Sequence, residues 1–197
     1  MIRARVFPRF LATITAIAGV GCGGGGFTAA EREIIAAGQS DIMHITTVDV
    51  ESELQILRST SEPLTQQMVQ SEDFATLRRR MLATVQDPEN EGVGIAAPQV
   101  GISRQMVAVQ RFDKEGEPFE FFINPEIVER IGEKKAGGEG CLSVPEIRGD
   151  VERWHTIRLR YRDEQFVERE ELIEGFTAVI FQHELDHLDG KLFIDYL

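Results

Sequence analysis

Residues 181–190 read FQHELDHLDG and hold two of the four histidines of a 197-residue chain. On an α-helix, His183 and His187 stand about 40° apart around the axis and about 6 Å apart along it, so both imidazoles can reach one metal ion. Glu184 points about 100° away from His183, close enough to serve a water on that ion without being a ligand. A lone histidine on a helix is an ordinary surface or core residue. A pair of them with this glutamate, on an otherwise apolar face, is the H-E-x-x-H pattern of a hydrolytic metal centre. The pattern predicts a helix over 176–188, with Val179, Ile180, His183 and His187 along one side.

Such a centre takes three protein ligands and leaves one position open. A histidine three residues beyond Gly190 would complete one protease pattern, but Phe193 stands there. A downstream glutamate on a further helix has no room, since only seven residues follow Gly190. The third ligand is therefore expected upstream, among His44, His155, the carboxylates, Cys22 and Cys141. Cys141 is the strongest of these. It lies in GGEGCLSVPEIRG (137–149), read as a glycine-rich loop between strands where backbone can approach closely. The two cysteines sit in unlike contexts and make no disulfide framework.

Upstream of this region the pattern is mixed. Residues 63–87 read as one helix through Leu64, Met68, Phe74, Leu77, Met81 and Leu82, ended by DPENEG. Residues 102–112 and 119–129 have the β-branched and aromatic content of strands around a KEGEP turn. In 155–163, Ile157, Leu159 and Tyr161 alternate with Arg158, Arg160 and Arg162, the mark of a half-buried strand, and 167–175 is expected to pair with it. Residues 45–59 are expected to hold an extended segment. Strands around one late helix predict an α+β fold: antiparallel or mixed β-sheets around a C-terminal helix carrying H-E-x-x-H. Formal net charge is -12, which excludes nucleic acid as a partner because phosphate binding needs a basic face.

The first 26 residues differ from the rest. Arg3, Arg5 and Arg9 precede an apolar run that is too short to span a bilayer, and then come Cys22 and four glycines. This resembles a bacterial lipoprotein signal with a lipidated Cys22 and a glycine tether, although Gly19 stands where that signal has a large aliphatic residue. The expected organisation is a signal-like segment over 1–26, a weakly patterned extension over 27–59, and a catalytic domain over 60–197.

Three segments carry a closer resemblance: GVGIAAPQ (92–99), EGCLS (139–143) and QHELDH (182–187). In that order they are similar to the motifs of the peptide deformylases. The resemblance implies a hydrolase that removes the formyl group from N-formylmethionyl peptides or nascent chains and releases formate. It implies Cys141, His183 and His187 as metal ligands, Glu184 as general base and acid, and Gln99 with the Leu142 N–H as oxyanion donors. Val93, Gly94, Val179, Ile180 and Arg148 would bind substrate, and Arg153 would pair with Glu139 to hold the loop. The family typically works with Fe2+, with Zn2+, Ni2+ or Co2+ as expected substitutes. The other readings are an H-E-x-x-H metallopeptidase and a non-catalytic envelope metal-binding protein of the same fold. The family's role implies the cytoplasm, whereas the N-terminus implies membrane anchoring in the cell envelope, and both expectations stand.

Overall fold

The computed structural model describes residues 25–38 and 40–197. The lipidation site expected at Cys22, and the basic and apolar stretch before it, lie outside the described residues. Among the described residues no helix is long and apolar enough to cross a membrane.

Five strands form one antiparallel sheet in sequence order: β1 (Gly94–Ala96), β2 (Met106–Gln110), β3 (Phe119–Cys141), β4 (Val144–Arg162) and β5 (Glu168–Glu174). Helices α1 (Ala29–Ala36), α2 (Glu51–Leu57), α3 (Gln66–Val69) and α4 (Glu72–Val85) precede the sheet, and α5 (Gly175–Leu188) follows it. The architecture is α+β. Alternate residues of β2 enter different cores. Met106 and Ala108 pack with Phe74, Leu77 and Met81 of α4. Val107 and Val109 pack with Ile180 and Phe181 of α5. Both faces of β2 are covered, which is why its first four residues, 106–109, are all apolar. Strand β4 is covered on one face only. Ile157, Leu159 and Tyr161 are buried against α5, while Arg158, Arg160 and Arg162 face out and pair with Glu129, Glu170 and Glu168.

Beneath α5 lies a charge that the sequence did not announce. The Arg111 side chain is 2% exposed, bonded to Asp113, Glu120 and Glu171, with its guanidinium over the rings of Phe122 and Phe181. Three carboxylates and two ring faces compensate the desolvated cation.

Three local readings need correction. The 63–87 segment is two helices, because Ser71 accepts from the Phe74 N–H and donates to the Met68 carbonyl, ending one helix and capping the next. Within 45–59, residues Glu51–Leu57 are helical, with Glu51 and Glu53 in the first turn where the helix dipole favours acids. The glycine-rich stretch before Cys141 is strand, not loop. Gly137, Gly138 and Gly140 continue β3 opposite Val151, Asp150 and Arg148. Gly140 has a packing reason to lack a side chain, since a Cβ there would overlap the Arg148 guanidinium.

Residues ahead of the sheet are integral to the first core. Phe27, Ile35 and Met43 are buried in it. A capping box of Thr28 and Glu31 starts α1, and Glu31 also holds Arg104 through two hydrogen bonds of 2.5 and 3.0 Å. At the other end of α1, buried Arg80 donates to the carbonyls of Ile34, Ile35 and Ser40, satisfying acceptors that a helix end leaves open.

Candidate active site

Four pieces of backbone meet at a cleft of about 750 Å³. Strand β1 presents Gly94. The 3-10 turn Ala97–Val100 presents Gln99, with its amide oxygen fixed by the Ala96 N–H at 2.8 Å. That bond turns the Gln99 Nε2 toward Ser143 Oγ (3.3 Å) and Cys141 Sγ (3.5 Å). The β3–β4 hairpin presents Cys141 at its tip, with Leu142 and Ser143 as the turn. Helix α5 presents His183, Glu184 and His187. Gly190, at a φ of 72°, lies just beyond the end of α5, and Phe193 stacks on the His183 ring at a centroid distance of 6.0 Å.

The donor atoms of Cys141, His183 and His187 all lie within 4.8 Å of one another, and Cys141 Sγ is 3.2 Å from His187 Nε2. They are the only such group of three among the described residues. His44 pairs instead with Glu53, and His155 lies within β4 outside the group. His183 Nδ1 is 2.8 Å from Glu139 Oε2, which leaves its Nε2 for the cluster. A carboxylate behind a histidine fixes the ring's tautomer and orientation, the usual support of a histidine ligand. Glu139 is held in turn by Arg153 through bonds of 2.8 and 3.1 Å, and Arg153 by Asp186 at 2.5 Å. Tyr196 donates to Asp186 and lies under the Arg153 guanidinium.

The electrostatics match the geometry. Burial pushes the Cys141 thiol up, but the charges and hydrogen bonds of His187 and His183 bring it down to about 5, so the thiolate is its form at neutral pH. Burial opposes charge on His183 as well, yet Cys141 and Glu139 together raise it to about 10. Glu184 is raised to about 7, mainly by burial, against the pull of His183 and His187. Its Oε2 is buried without a protein partner. Gly94 lies against this carboxylate so closely that a Cβ would overlap Glu184 Oε1 and come within 2.9 Å of Ile180 Cγ2. One thiolate and two histidine rings, that of His183 oriented by Glu139, suit a divalent ion of the zinc or iron type in a three-ligand site.

The residues singled out in the sequence are gathered by the fold. Val93, Gly94, Gln99 and Leu142 line the cleft, as do Val179, Ile180, Arg148 and Glu184. Arg153 pairs with Glu139, although Glu139 also grips His183, a link that no spacing revealed. Asp186 stood inside the histidine motif as a visible signal. Tyr196 and the 43–48 segment, which touches the Gln99 turn, gave none.

A sequence model of the polypeptide deformylases matches residues 42–197. A peptide deformylase of Leptospira biflexa is 42% identical over 149 residues, covering 72% of this chain and 82% of that protein. The Met-Ala-Ser-bound structure of a class I type b peptide deformylase from Acinetobacter baumannii superposes with a TM-score of 0.70 at 35% identity, over 79% of this chain and 98% of that one. The peptide deformylase of Thermotoga maritima does so with a TM-score of 0.69 at 36% identity, over 79% and 97%. With the cysteine, the histidine pair and the glutamate brought to one cleft and a match running through all of them, the chain belongs to the polypeptide deformylase family.

Proposed function

We propose that this cleft is where the enzyme hydrolyses the N-formyl amide of formylmethionyl peptides, yielding formate and a free α-amine. The observation that carries the assignment of roles is the convergence of Cys141, His183 and His187 beside a buried carboxylate oxygen that no protein group satisfies. Cys141, His183 and His187 would hold one Fe2+, with Zn2+, Ni2+ or Co2+ as substitutes. A divalent ion bound there supplies the Lewis acidity that makes water nucleophilic near neutral pH.

The chain's own groups do the rest. Glu184 takes the proton of the attacking water and returns it to the departing nitrogen, a task suited to a carboxyl held near neutrality. Gln99 Nε2 and the Leu142 N–H receive the negative charge that develops on the formyl oxygen. Val93, Val179 and Ile180 form the apolar wall for the methionine side chain, and Gly94 lets substrate backbone lie close to Glu184. Arg148, laid across Gly140 at the cleft wall, faces the following residues of the peptide. The Met-Ala-Ser peptide held by the Acinetobacter baumannii relative supports a peptide substrate.

Formate release from formyl-Met-Ala-Ser by anaerobically Fe2+-loaded protein tests the assignment. Turnover is expected with a formylated peptide and none with its acetylated counterpart. A protein that cleaves internal peptide bonds instead, or one that binds the ion and releases no formate, would overturn it.

A membrane anchor through a lipidated Cys22 is proposed on sequence alone, from Arg3, Arg5, Arg9, the apolar run and the glycine tether. It predicts acyl labelling that Cys22→Ala abolishes, with release of the protein from the membrane fraction. Unlabelled, wholly soluble wild-type protein would sink it.

A further inference from the structure

Residues 43–48 form no helix or strand, yet they touch both walls of the oxyanion pocket. The Thr46 N–H donates to the Gln99 carbonyl at 2.8 Å, and the Thr46 hydroxyl to the Pro98 carbonyl at 3.0 Å. Two residues on, the Val48 N–H donates to the Ser143 carbonyl at 2.9 Å. The first pair grips the turn that carries the Gln99 side chain. The second grips the hairpin turn that carries the Leu142 N–H. Thr46, Gln99 and Ser143 are 4%, 2% and 0% exposed, so these bonds are shielded from water. The Val48 side chain packs on the small core of Val144, Val151, Leu192 and Phe193 beside Cys141. The segment is itself clasped from outside, where Glu53 of α2 accepts from the Thr47 N–H at 2.7 Å and meets His44 Nε2 at 2.7 Å.

The two oxyanion donors come from separate parts of the chain, more than forty residues apart in sequence. Between them the direct side-chain bonds are those of Gln99 Nε2 with Ser143 Oγ at 3.3 Å and Cys141 Sγ at 3.5 Å, and both use the same Nε2 that must serve the substrate. Something else has to set their separation. We propose that Thr46 is a positioning residue for deformylation: through it, residues 43–48 fix the Gln99 amide relative to the Leu142 N–H. The proposal rests on the oxyanion role given above to Gln99 and Leu142. Donors that stabilise a transition state must be in place beforehand, because moving them during the reaction spends the energy they offer.

The test is a double-mutant cycle on Fe2+-loaded, full-length protein with formyl-Met-Ala-Ser. Removing an oxyanion donor costs about 100- to 1000-fold, and displacing one costs a fraction of that, so Thr46→Val is expected to lower kcat roughly tenfold. KM stays within about twofold and one ion per chain is retained, since neither the apolar wall nor the ligands move. Thr46→Ser, which keeps the hydroxyl, restores the rate. In a Gln99→Ala background, Thr46→Val costs less than about twofold, because the group it positions is gone.

Equal losses from Thr46→Val in both backgrounds would make Thr46 a general brace and overturn the proposal. So would a lowered Tm with unchanged kcat. A normal rate in Gln99→Ala would overturn the oxyanion reading itself, and the proposal with it. If Thr46→Val does not fold, Glu53→Ala decides by loosening the same segment from its outer side. A reduced kcat that vanishes in the Gln99→Ala background supports the proposal, and an unchanged kcat overturns it.

Discussion

Replacing Glu139 by alanine removes the one acid that touches both the His183 ring and the buried Arg153 guanidinium. Burial alone would push this carboxyl up. The hydrogen bonds from His183 and Arg153, with the charge of Arg153, outweigh burial and bring it from an ordinary 4.5 to about 2. At about 1.4 kcal/mol per tenfold, that drop corresponds to about 3 kcal/mol of interaction favouring the carboxylate. Removing one partner of a buried ion pair costs about 3–5 kcal/mol, because the other charge stays desolvated. Asp186 still holds Arg153 in the variant, so about 3 kcal/mol is expected. For a chain of this size that is a fall in Tm of roughly 6–12 °C. His183 also loses the acceptor that fixes its tautomer, so metal affinity should fall roughly 10- to 100-fold. Calorimetry and chelator competition measure the two effects. The pH dependence has a definite sign. The folded value is depressed, so the stabilisation is fully present above the unfolded value of 4.5 and is lost as pH falls through about 2. The Tm gap between wild type and variant should be flat between about pH 4.5 and 6.5, narrow on acidification, and narrow again as pH rises toward about 10, where His183 gives up its proton. A variant within about 2 °C of wild type, with unchanged metal affinity, would refute this account of Glu139.

Gly94→Ala should fold and bind metal yet lose at least about 100-fold in kcat, because the added methyl displaces the Glu184 carboxylate; steady-state kinetics with metal analysis would show it, and a normal rate would contradict the close approach. Cys141→Ser should lose metal affinity, whereas Glu184→Ala should keep the ion and lose turnover by about 100- to 10,000-fold; loss of the ion in the second variant would make Glu184 a ligand. A chain beginning at residue 25 should match the full chain in rate and stability. One beginning at residue 42 loses the burial of Phe27 and Ile35 and the Glu31–Arg104 pair, and should be destabilised by about 3–6 kcal/mol in urea unfolding.

What could be read from the sequence was what depends on residue type at fixed spacing. His183, Glu184 and His187 declare one helix face, and the Ile157–Leu159–Tyr161 alternation declares a strand with one dry side. Cys141 emerged because the histidine pair lacked a partner, whereas the roles of Gln99 and Leu142 came only with the resemblance to the deformylase motifs. What stayed hidden depends on neighbours brought by the fold. The glycines before Cys141 spell a loop locally, but pairing with 148–151 makes them strand. Ser71 splits a helix through two bonds that no periodicity displays. Arg111 looks like a surface cation at a strand end until Glu171 and the Phe181 ring arrive from distant sequence. Thr46 is an unremarked threonine in a weakly patterned stretch, and its meaning lies entirely in whose carbonyls it faces.

Strand β5 closes the sheet with no strand on its outer side among the described residues, and four of its seven residues are glutamates. An open sheet edge is a template on which another chain can add a strand. Two copies approaching along β5 would bring Glu168, Glu170, Glu171 and Glu174 of each against the same set of the other, and like charges placed opposite one another repel. Within one molecule the β4 arginines pair with Glu168 and Glu170, and Arg111 and Lys114 with Glu171. The carboxylates of this edge therefore act twice: inside one molecule they hold arginines, and between two molecules they make the open edge a poor template for a second copy.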